Sequence, residues 1–214
     1  MLLPGDPGRA LALAQELLSE PRMFNHNRGL WGYSGLARDG ELLTIQSTGI
    51  GGPSAAIVLE ELIVLGVTRA IRVGTAGALD GALALGDLLL VREAICADGT
   101  SRSLGAGERI AADAGLLAAM RRGAPDAALG TIVSSDLFYE IGEPRFPQWR
   151  AQGASAVEME AAALLALGAL RGVAVGCALA ITDLLSGPRE RIDAQRLHEA
   201  GLAVGRVGAA ALGA

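Results

Sequence analysis

This sequence has few of the residues by which nucleic-acid-binding, disulfide-rich and zinc-binding proteins are recognised. Aromatic residues make up 3% of the chain and the net charge is −5 without a basic run, which argues against nucleic-acid binding. The two cysteines, Cys96 and Cys177, lie in apolar, strand-like runs, so we expect reduced core thiols and no disulfide framework. Two histidines and two isolated cysteines do not form a zinc-site pattern, and we expect no metal site.

Signals for membranes and secretion are missing as well. No run reaches ~18 consecutive apolar residues, the length that a transmembrane helix needs. The N-terminus leads directly into the turn 4–8 without the pattern of a signal peptide. We therefore expect a cytoplasmic protein that does not bind a membrane. Apolar residues are abundant instead, at 51% of 214 residues, which is ample material for a hydrophobic core.

Strand-like and helix-like segments alternate along the whole chain. The patterns predict strands at 2–3, 33–37, 41–47, 70–73, 87–97, 130–134 and 172–182. They predict helices at 7–19, 55–65, 110–122, 145–152, 161–170 and 192–212. Segments 21–32, 74–77, 98–108 and 184–191 are expected to be loops or turns. Because no linker or composition break interrupts the alternation, we predict one three-layer α/β/α domain over residues 1–214 with a mixed central sheet.

Two carboxylates stand out because they occur beside a long apolar run. Glu158 and Glu160 precede the uncharged segment 161–170, which is typical of a buried helix. A buried carboxylate is costly unless it is paired or hydrogen-bonded. A spacing of two places the two side chains on opposite sides of a strand, so we expect Glu160 to point inward and Glu158 to bound the helix. The alternative is an acidic first helical turn that complements the helix dipole.

The ends of the predicted strands carry residues suited to an anion. Glycines at Gly5, 49–52 and Gly74 allow backbone N–H groups to approach a ligand closely, and two of these turns open helices. Neither a Walker loop nor a complete dinucleotide fingerprint occurs. Arg72 lies inside an apolar strand, so it must be paired or face a cavity, whereas Arg9 taken alone is more typical of a solvated helix residue.

Glutamate beside an anion site indicates a ligand with two different ends. A carboxylate repels phosphate but accepts hydrogen bonds from a vicinal diol, so one end is anionic and the other carries neutral hydroxyls. Phe138 follows a strand and can stack on a flat ring, although a lone Phe is also typical of a core. Asp183 ends another strand, where it can act as a general acid or simply cap a helix.

Taken together, six segments resemble the nucleoside phosphorylase family, which includes hexameric bacterial purine nucleoside phosphorylases and uridine phosphorylases. The resemblance extends over almost the whole chain. The segments that carry it, in the order of the family, are 3–7, 27–35, 47–54, 71–77, 134–139 and 157–162.

The resemblance implies reversible phosphorolysis of a nucleoside to a free base and ribose 1-phosphate. Inorganic phosphate is then the co-substrate, and no metal or organic cofactor is implied. It assigns phosphate binding to Gly5, Arg9, Arg28, Arg72 and Thr75; ribose binding to Glu158, Met159 and Glu160; and base binding to Phe138 and Ser135. It also implies a homo-oligomer, as in the hexameric members, in which Arg28 is contributed by a neighbouring subunit.

The choice of base depends on segments that resemble different branches of the family. Segment 47–54 is closer to uridine phosphorylases and segment 27–35 to the purine enzymes. Segment 181–183 resembles the purine pattern, in which an aspartate, here Asp183, protonates N7 of the leaving base. Arg196, thirteen residues later, matches the arginine that assists that aspartate. The Gln and Arg that read uracil are not matched in segment 140–145, where there is no Gln and Arg145 is displaced, so we expect a purine substrate with uridine as the alternative.

Two further alternatives remain at this point. A nucleosidase of the same fold uses water in place of phosphate and has no need for the three arginines. A nucleoside-binding relative without catalysis is the other, because the family usually carries an N-terminal histidine ahead of the turn at which this chain starts.

Overall fold

The alternation predicted from the sequence is present in the structure, a computed structural model that describes residues 1–139 and 141–214. The strands are β1 Leu2–Leu3, β2 Ser19–Asn25, β3 Gly32–Leu36, β4 Leu42–Gln46, β5 Arg69–Ala78, β6 Leu88–Ala97, β7 Arg109–Ala111, β8 Ala128–Ser135, β9 Ala154–Glu158, β10 Ala174–Leu184 and β11 Glu190–Arg191. The helices are α1 Pro7–Leu17, α2 Gly52–Val64, α3 Gly99–Ser103, α4 Ala114–Gly123, α5 Phe146–Ala151, α6 Ala161–Arg171 and α7 Ala194–Leu212.

Local sequence signals explain where several helices begin. Helices α1, α3, α4 and α7 each follow an aspartate whose side chain accepts a backbone N–H of the first turn. These aspartates are Asp6, Asp98, Asp113 and Asp193. Helix α6 ends at Gly172, which adopts the left-handed conformation that favours glycine at helix C-termini.

The strands form one mixed sheet that closes on itself over part of its width. Its order is β11-β10-β6-β8-β9-β5-β1-β4-β3-β2, with β7 on β6 and an additional parallel pairing of β10 with β5. The pairing of β10 with β5 joins strands that are distant along that order and closes the ring β10-β6-β8-β9-β5. Strands β5 and β10 run parallel, as do β8 and β9, and the antiparallel pairing of Gly77 with Val157 brings the end of β9 against β5.

Helices cover both faces of this sheet and create two cores. One core contains Leu59 of α2 and Leu164 of α6, and the other contains Leu13 of α1, Met120 of α4 and Val204 of α7. All five side chains are buried. This arrangement confirms the prediction of a three-layer α/β/α fold with a mixed sheet.

Strand β5 is longer than the sequence predicted. We expected a short strand at 70–73 and a turn at 74–77, but β5 continues to Ala78 and pairs with β10 along its length. Gly74 is needed there for a packing reason. A Cβ at Gly74 would lie 2.8 Å from two atoms of the Arg72 guanidinium, so only glycine lets that side chain lie across the strand.

Other segments expected to be loops also contain regular structure. The polar segment 21–32 includes most of β2, an exposed strand, and 98–108 includes the short helix α3. The predicted helix 110–122 is in fact strand β7 followed by α4, because Asp113 caps the helix and so fixes its start. Cys96 and Cys177 are free and buried, as expected. Among the described residues, no helix combines the length and the apolar character needed to cross a membrane.

Candidate active site

A buried ion cluster lies where β5, β9 and helix α6 meet. Arg72 of β5 donates from Nε to Glu158 Oε2 at 2.9 Å and approaches Glu160 Oε2 with Nη2 at 2.5 Å. The three side chains are 4%, 1% and 8% exposed, so water contributes little to their solvation. Burial by itself lowers the pKa of Arg72, but the two carboxylates outweigh that effect, so its pKa is raised above the ordinary arginine value.

Glu158 is more than the boundary residue that the sequence predicted. It is the last residue of β9 and accepts the backbone N–H groups of Glu160 and Ala161 at 2.8 to 3.0 Å, which caps helix α6. The hydroxyl of Ser134, in β8, donates to Oε1 of Glu158. Burial raises the pKa of this carboxyl, and the neighbouring Glu160 raises it further, against the opposing effect of Arg72.

Glu160 points inward as predicted, but Glu158 does so too. The expected alternation fails because the backbone turns between them, and Glu160 (φ −135°, ψ −23°) is in neither strand nor helix conformation. Oε1 of Glu160 accepts the N–H of Gly51 at 2.6 Å. Gly51 is the N-cap residue of α2, so the positive end of that helix faces this carboxylate. One N–H group of the predicted anion site at 49–52 is therefore already bound to a carboxylate of the protein itself, that of Glu160.

One guanidinium nitrogen of the buried Arg72 forms no hydrogen bond with the described residues. Nη1 of Arg72 has no hydrogen-bond partner among the described residues, although Nε and Nη2 are both held by carboxylates. A Cβ at Gly5 would lie 4.0 Å from this atom and 3.2 Å from the carbonyl oxygen of Gly49. Because buried donors are normally satisfied, Nη1 marks a position for a ligand acceptor beside the backbone of Gly5.

The other residues predicted to bind phosphate differ in their distance from this cluster. Arg9, in the first turn of α1, is close enough to Arg72 and Glu160 to interact electrostatically. Burial lowers the pKa of Arg9 and the charge on Arg72 lowers it further, against Asp6 and Glu160. Thr75 is half-buried in β5. Arg28 is exposed in a short turn at Asn27–Gly29, with φ 54°; its predicted role in a neighbouring subunit stays a prediction.

The residues predicted to surround a sugar and a base follow β8 and β9. Met159 is half-buried between the two glutamates. Ser135 ends β8 and is buried, whereas Phe138 is 56% exposed and contacts Tyr139 edge to face. Arg145 donates to the Ser135 hydroxyl at 3.1 Å. This arginine, displaced in sequence from the uracil-reading arginine of the family, is thus directed toward the end of β8. Residue 140, part of the expected uracil-reading segment, is outside the described residues.

Asp183 near the end of β10 has arginine partners other than the predicted one. Its Oδ1 accepts from Nε of Arg189 at 2.8 Å and forms ion pairs with Nη2 of Arg189 at 2.8 Å and with Nε of Arg191 at 3.3 Å. Its Oδ2 pairs with the hydroxyl of Thr182 at 3.0 Å. The structure does not bring Arg196 to Asp183, and its predicted assistance of that aspartate stays a prediction. Helix α7 directs the Arg196 guanidinium to the carbonyl oxygen of Leu85 at 2.7 Å instead.

Sequence reasoning missed three contributors to this site. Ser134 was grouped with the strand end without a role, yet it links Glu158 to the N–H of Ala162. Arg189 and Arg191 were placed in a loop, whereas the chain folds back after β10 and pairs β11 with it. The turn residues 186–188, Ser-Gly-Pro, were the available signal for that hairpin.

Comparison with known proteins agrees with this geometry. The sequence profile of the Phosphorylase superfamily matches residues 1–212. The chain is 37% identical over 190 residues to a DeoD-type purine nucleoside phosphorylase of Clostridium novyi, covering 86% of this chain and 81% of that one. It is 34% identical to a uridine phosphorylase of Treponema pallidum, covering 93% and 83% of the two chains. The crystal structure of uridine phosphorylase from Vibrio fischeri superposes with a TM-score of 0.89 at 28% identity, covering 99% and 89%. The chain therefore belongs to the phosphorylase superfamily and is a pentosyltransferase of the nucleoside phosphorylase type.

Proposed function

We propose that this chain catalyses the reversible phosphorolysis of purine nucleosides to a free base and ribose 1-phosphate. The observation that carries the proposal is the buried Arg72, whose Nη1 has no partner in the described part of the chain while Nε and Nη2 lie on Glu158 and Glu160. This arrangement places a free cationic donor next to a carboxylate, as a ligand with an anionic end and a hydroxyl-bearing end requires.

Phosphate binds, in this proposal, between Gly5 and the arginines. Nη1 of Arg72 donates to one phosphate oxygen, Arg9 supplies further positive charge, and Thr75 adds a hydroxyl. Arg28 enters from a neighbouring subunit. Inorganic phosphate is the co-substrate, and the chemistry assigned to these residues uses no metal or organic cofactor.

Ribose is held by Glu160 and Met159. Each oxygen of Glu160 has one described donor, Gly51 on Oε1 and Arg72 on Oε2, which leaves lone pairs for the 2′ and 3′ hydroxyls of the sugar. Cleavage of the glycosidic bond builds positive charge on the sugar, and phosphate oxygens positioned on one face stabilise that charge. Glu158 acts by fixing Arg72 and the start of α6.

A purine base is favoured by the position of Asp183. It lies near the end of β10, where a general acid can protonate N7 of the leaving purine. The uridine alternative is supported by the contact between Arg145 and Ser135 at 3.1 Å, because it brings an arginine to the end of β8. Uridine phosphorylases are also among the relatives.

Turnover of inosine, adenosine and uridine, measured side by side with saturating phosphate, tests the proposal. We expect the purine nucleosides to be cleaved faster than uridine. The Asp183→Ala variant should lose about 10²- to 10⁴-fold in purine turnover, the usual contribution of a general acid. Faster turnover of uridine, or unchanged purine turnover in Asp183→Ala, would contradict the assignment.

A further inference from the structure

Arg189 connects two residues that were assigned to the base separately. Its Nε donates to Asp183 Oδ1 at 2.8 Å, its Nη2 forms an ion pair with the same oxygen at 2.8 Å, and its guanidinium carbon lies 5.0 Å from the centre of the Phe138 ring. The carboxylate fixes one edge of the guanidinium and the aromatic ring covers one face. Arg189 is therefore held in place where the turn after β10 meets the end of β8.

Most of the hydrogen-bonding capacity of this arginine remains for a ligand. A guanidinium has five N–H groups and no acceptor, and in the described contacts two of the five are directed at Asp183. The side chain is 37% exposed, so part of the guanidinium remains accessible to a ligand.

The edge of a purine that carries N7 distinguishes two substrate classes. A 6-oxopurine presents two acceptors there, N7 and O6, whereas a 6-aminopurine presents N7 as an acceptor and its amino group as a donor. N7 and the substituent on C6 lie side by side on this edge, so an arginine bound to the carboxylate that faces N7 is within reach of that substituent. A 6-oxo group accepts from the guanidinium. A 6-amino group is itself a donor, so it faces an N–H group of the guanidinium and neither donor has an acceptor.

We propose that Arg189 is the specificity-determining residue for the base, and that it selects 6-oxopurine nucleosides over 6-aminopurine nucleosides. This inference rests on the purine nucleoside phosphorolysis proposed above. It assigns the choice of base to an arginine of the β10–β11 turn.

The ratio of kcat/KM for inosine to kcat/KM for adenosine, at saturating phosphate, tests the inference. We expect a ratio above about ten in the unaltered protein, because a charged donor that loses its acceptor weakens binding by about tenfold or more. In Arg189→Met the ratio should fall at least tenfold, mainly through loss of inosine turnover. Arg189→Lys should fall in between, because lysine retains the charge but not the planar fork.

Arg171→Met is the matched control. Arg171 also pairs with a carboxylate, Glu60 at 2.6 Å, but it lies at the end of α6 remote from the site and is 48% exposed, so we expect the inosine-to-adenosine ratio to stay unchanged. Equal losses for both substrates in Arg189→Met would show that Arg189 only positions Asp183, and would overturn the inference. A preference of the unaltered protein for adenosine would overturn it as well.

The outcomes separate this inference from the proposal on which it rests. If the unaltered protein cleaves no purine nucleoside in the presence of phosphate, the proposed function fails. If it cleaves purines and the ratio is insensitive to Arg189, only the inference fails. Should Arg189→Met not fold, as judged by thermal melting, the ratio in Arg189→Lys decides.

Discussion

At the scale of single residues, the spacing of charged side chains in the sequence predicted their importance but not their contacts. Glu158 and Glu160 were identified from the apolar run that follows them, and both are buried. Their orientation could not be predicted, because the chain leaves the strand conformation between them. Arg72 was expected to need a partner, and it has two. Arg196 contacts the carbonyl oxygen of Leu85 and not Asp183, because a match of spacing does not fix the direction of a helical side chain.

Removal of Arg72 should destabilise the fold as well as abolish activity. Arg72→Met leaves two buried carboxylates without their cation, and loss of one partner of a buried ion pair costs about 3–5 kcal/mol. Urea denaturation followed by circular dichroism measures the free energy of unfolding.

Arg206→Met is the control for that variant. Arg206 pairs with Glu16 at 2.9 Å, but the side chains are 54% and 30% exposed, so we expect a change below about 1 kcal/mol. Equal losses of stability in the two variants would contradict the structural importance of the buried cluster.

At the scale of secondary structure elements, apolar periodicity and capping residues predicted most helices and the central strands. Exposed strand β2 was missed because its side chains do not alternate in polarity, and Glu20 interrupts it with a φ of 46°. Strand β5 was cut short in the prediction because Gly74 and Gly77 are typical of turns. The structure shows that Arg72 and Leu185 occupy the space beside these two glycines.

Close packing of α6 against β10 gives a prediction at this scale. A Cβ at Gly168 would lie 2.4 Å from a methyl group of Val175 and 2.8 Å from the carbonyl oxygen of Val173. Gly168→Ala should therefore lower the free energy of unfolding by about 1–3 kcal/mol, the usual effect of overpacking. Gly123→Ala is the control, because a Cβ at that position would lie at an ordinary contact distance, 3.9 Å, from Ala210. A stability gain in Gly168→Ala would show that the α6–β10 contact is looser than described.

At the scale of the whole molecule, the site as described within one chain is open on the side of Phe138. The exposed residues Met23, Phe24 and Arg28 belong to segment 19–29, and we propose that this segment contacts a neighbouring subunit. The sequence predicted such an assembly only through the resemblance to a family of oligomers, because burial between subunits leaves no periodic signal of its own.

A site shared between subunits predicts that the active form of the protein is a homo-oligomer. Sedimentation velocity at micromolar protein should show a homo-oligomer, and Arg28→Ala should raise the KM for phosphate because a neighbouring subunit no longer supplies that guanidinium. A fully active monomer at the same concentration would contradict a shared site.

The central claim is that phosphate, and not water, attacks the sugar. It depends on Arg72, whose Nη1 has no partner among the residues described. The most direct measurement is base release from inosine with and without inorganic phosphate, with the sugar product identified by mass spectrometry. We expect release to require phosphate and to yield ribose 1-phosphate. Equal rates without phosphate, with free ribose as the product, would identify a nucleosidase and contradict the account.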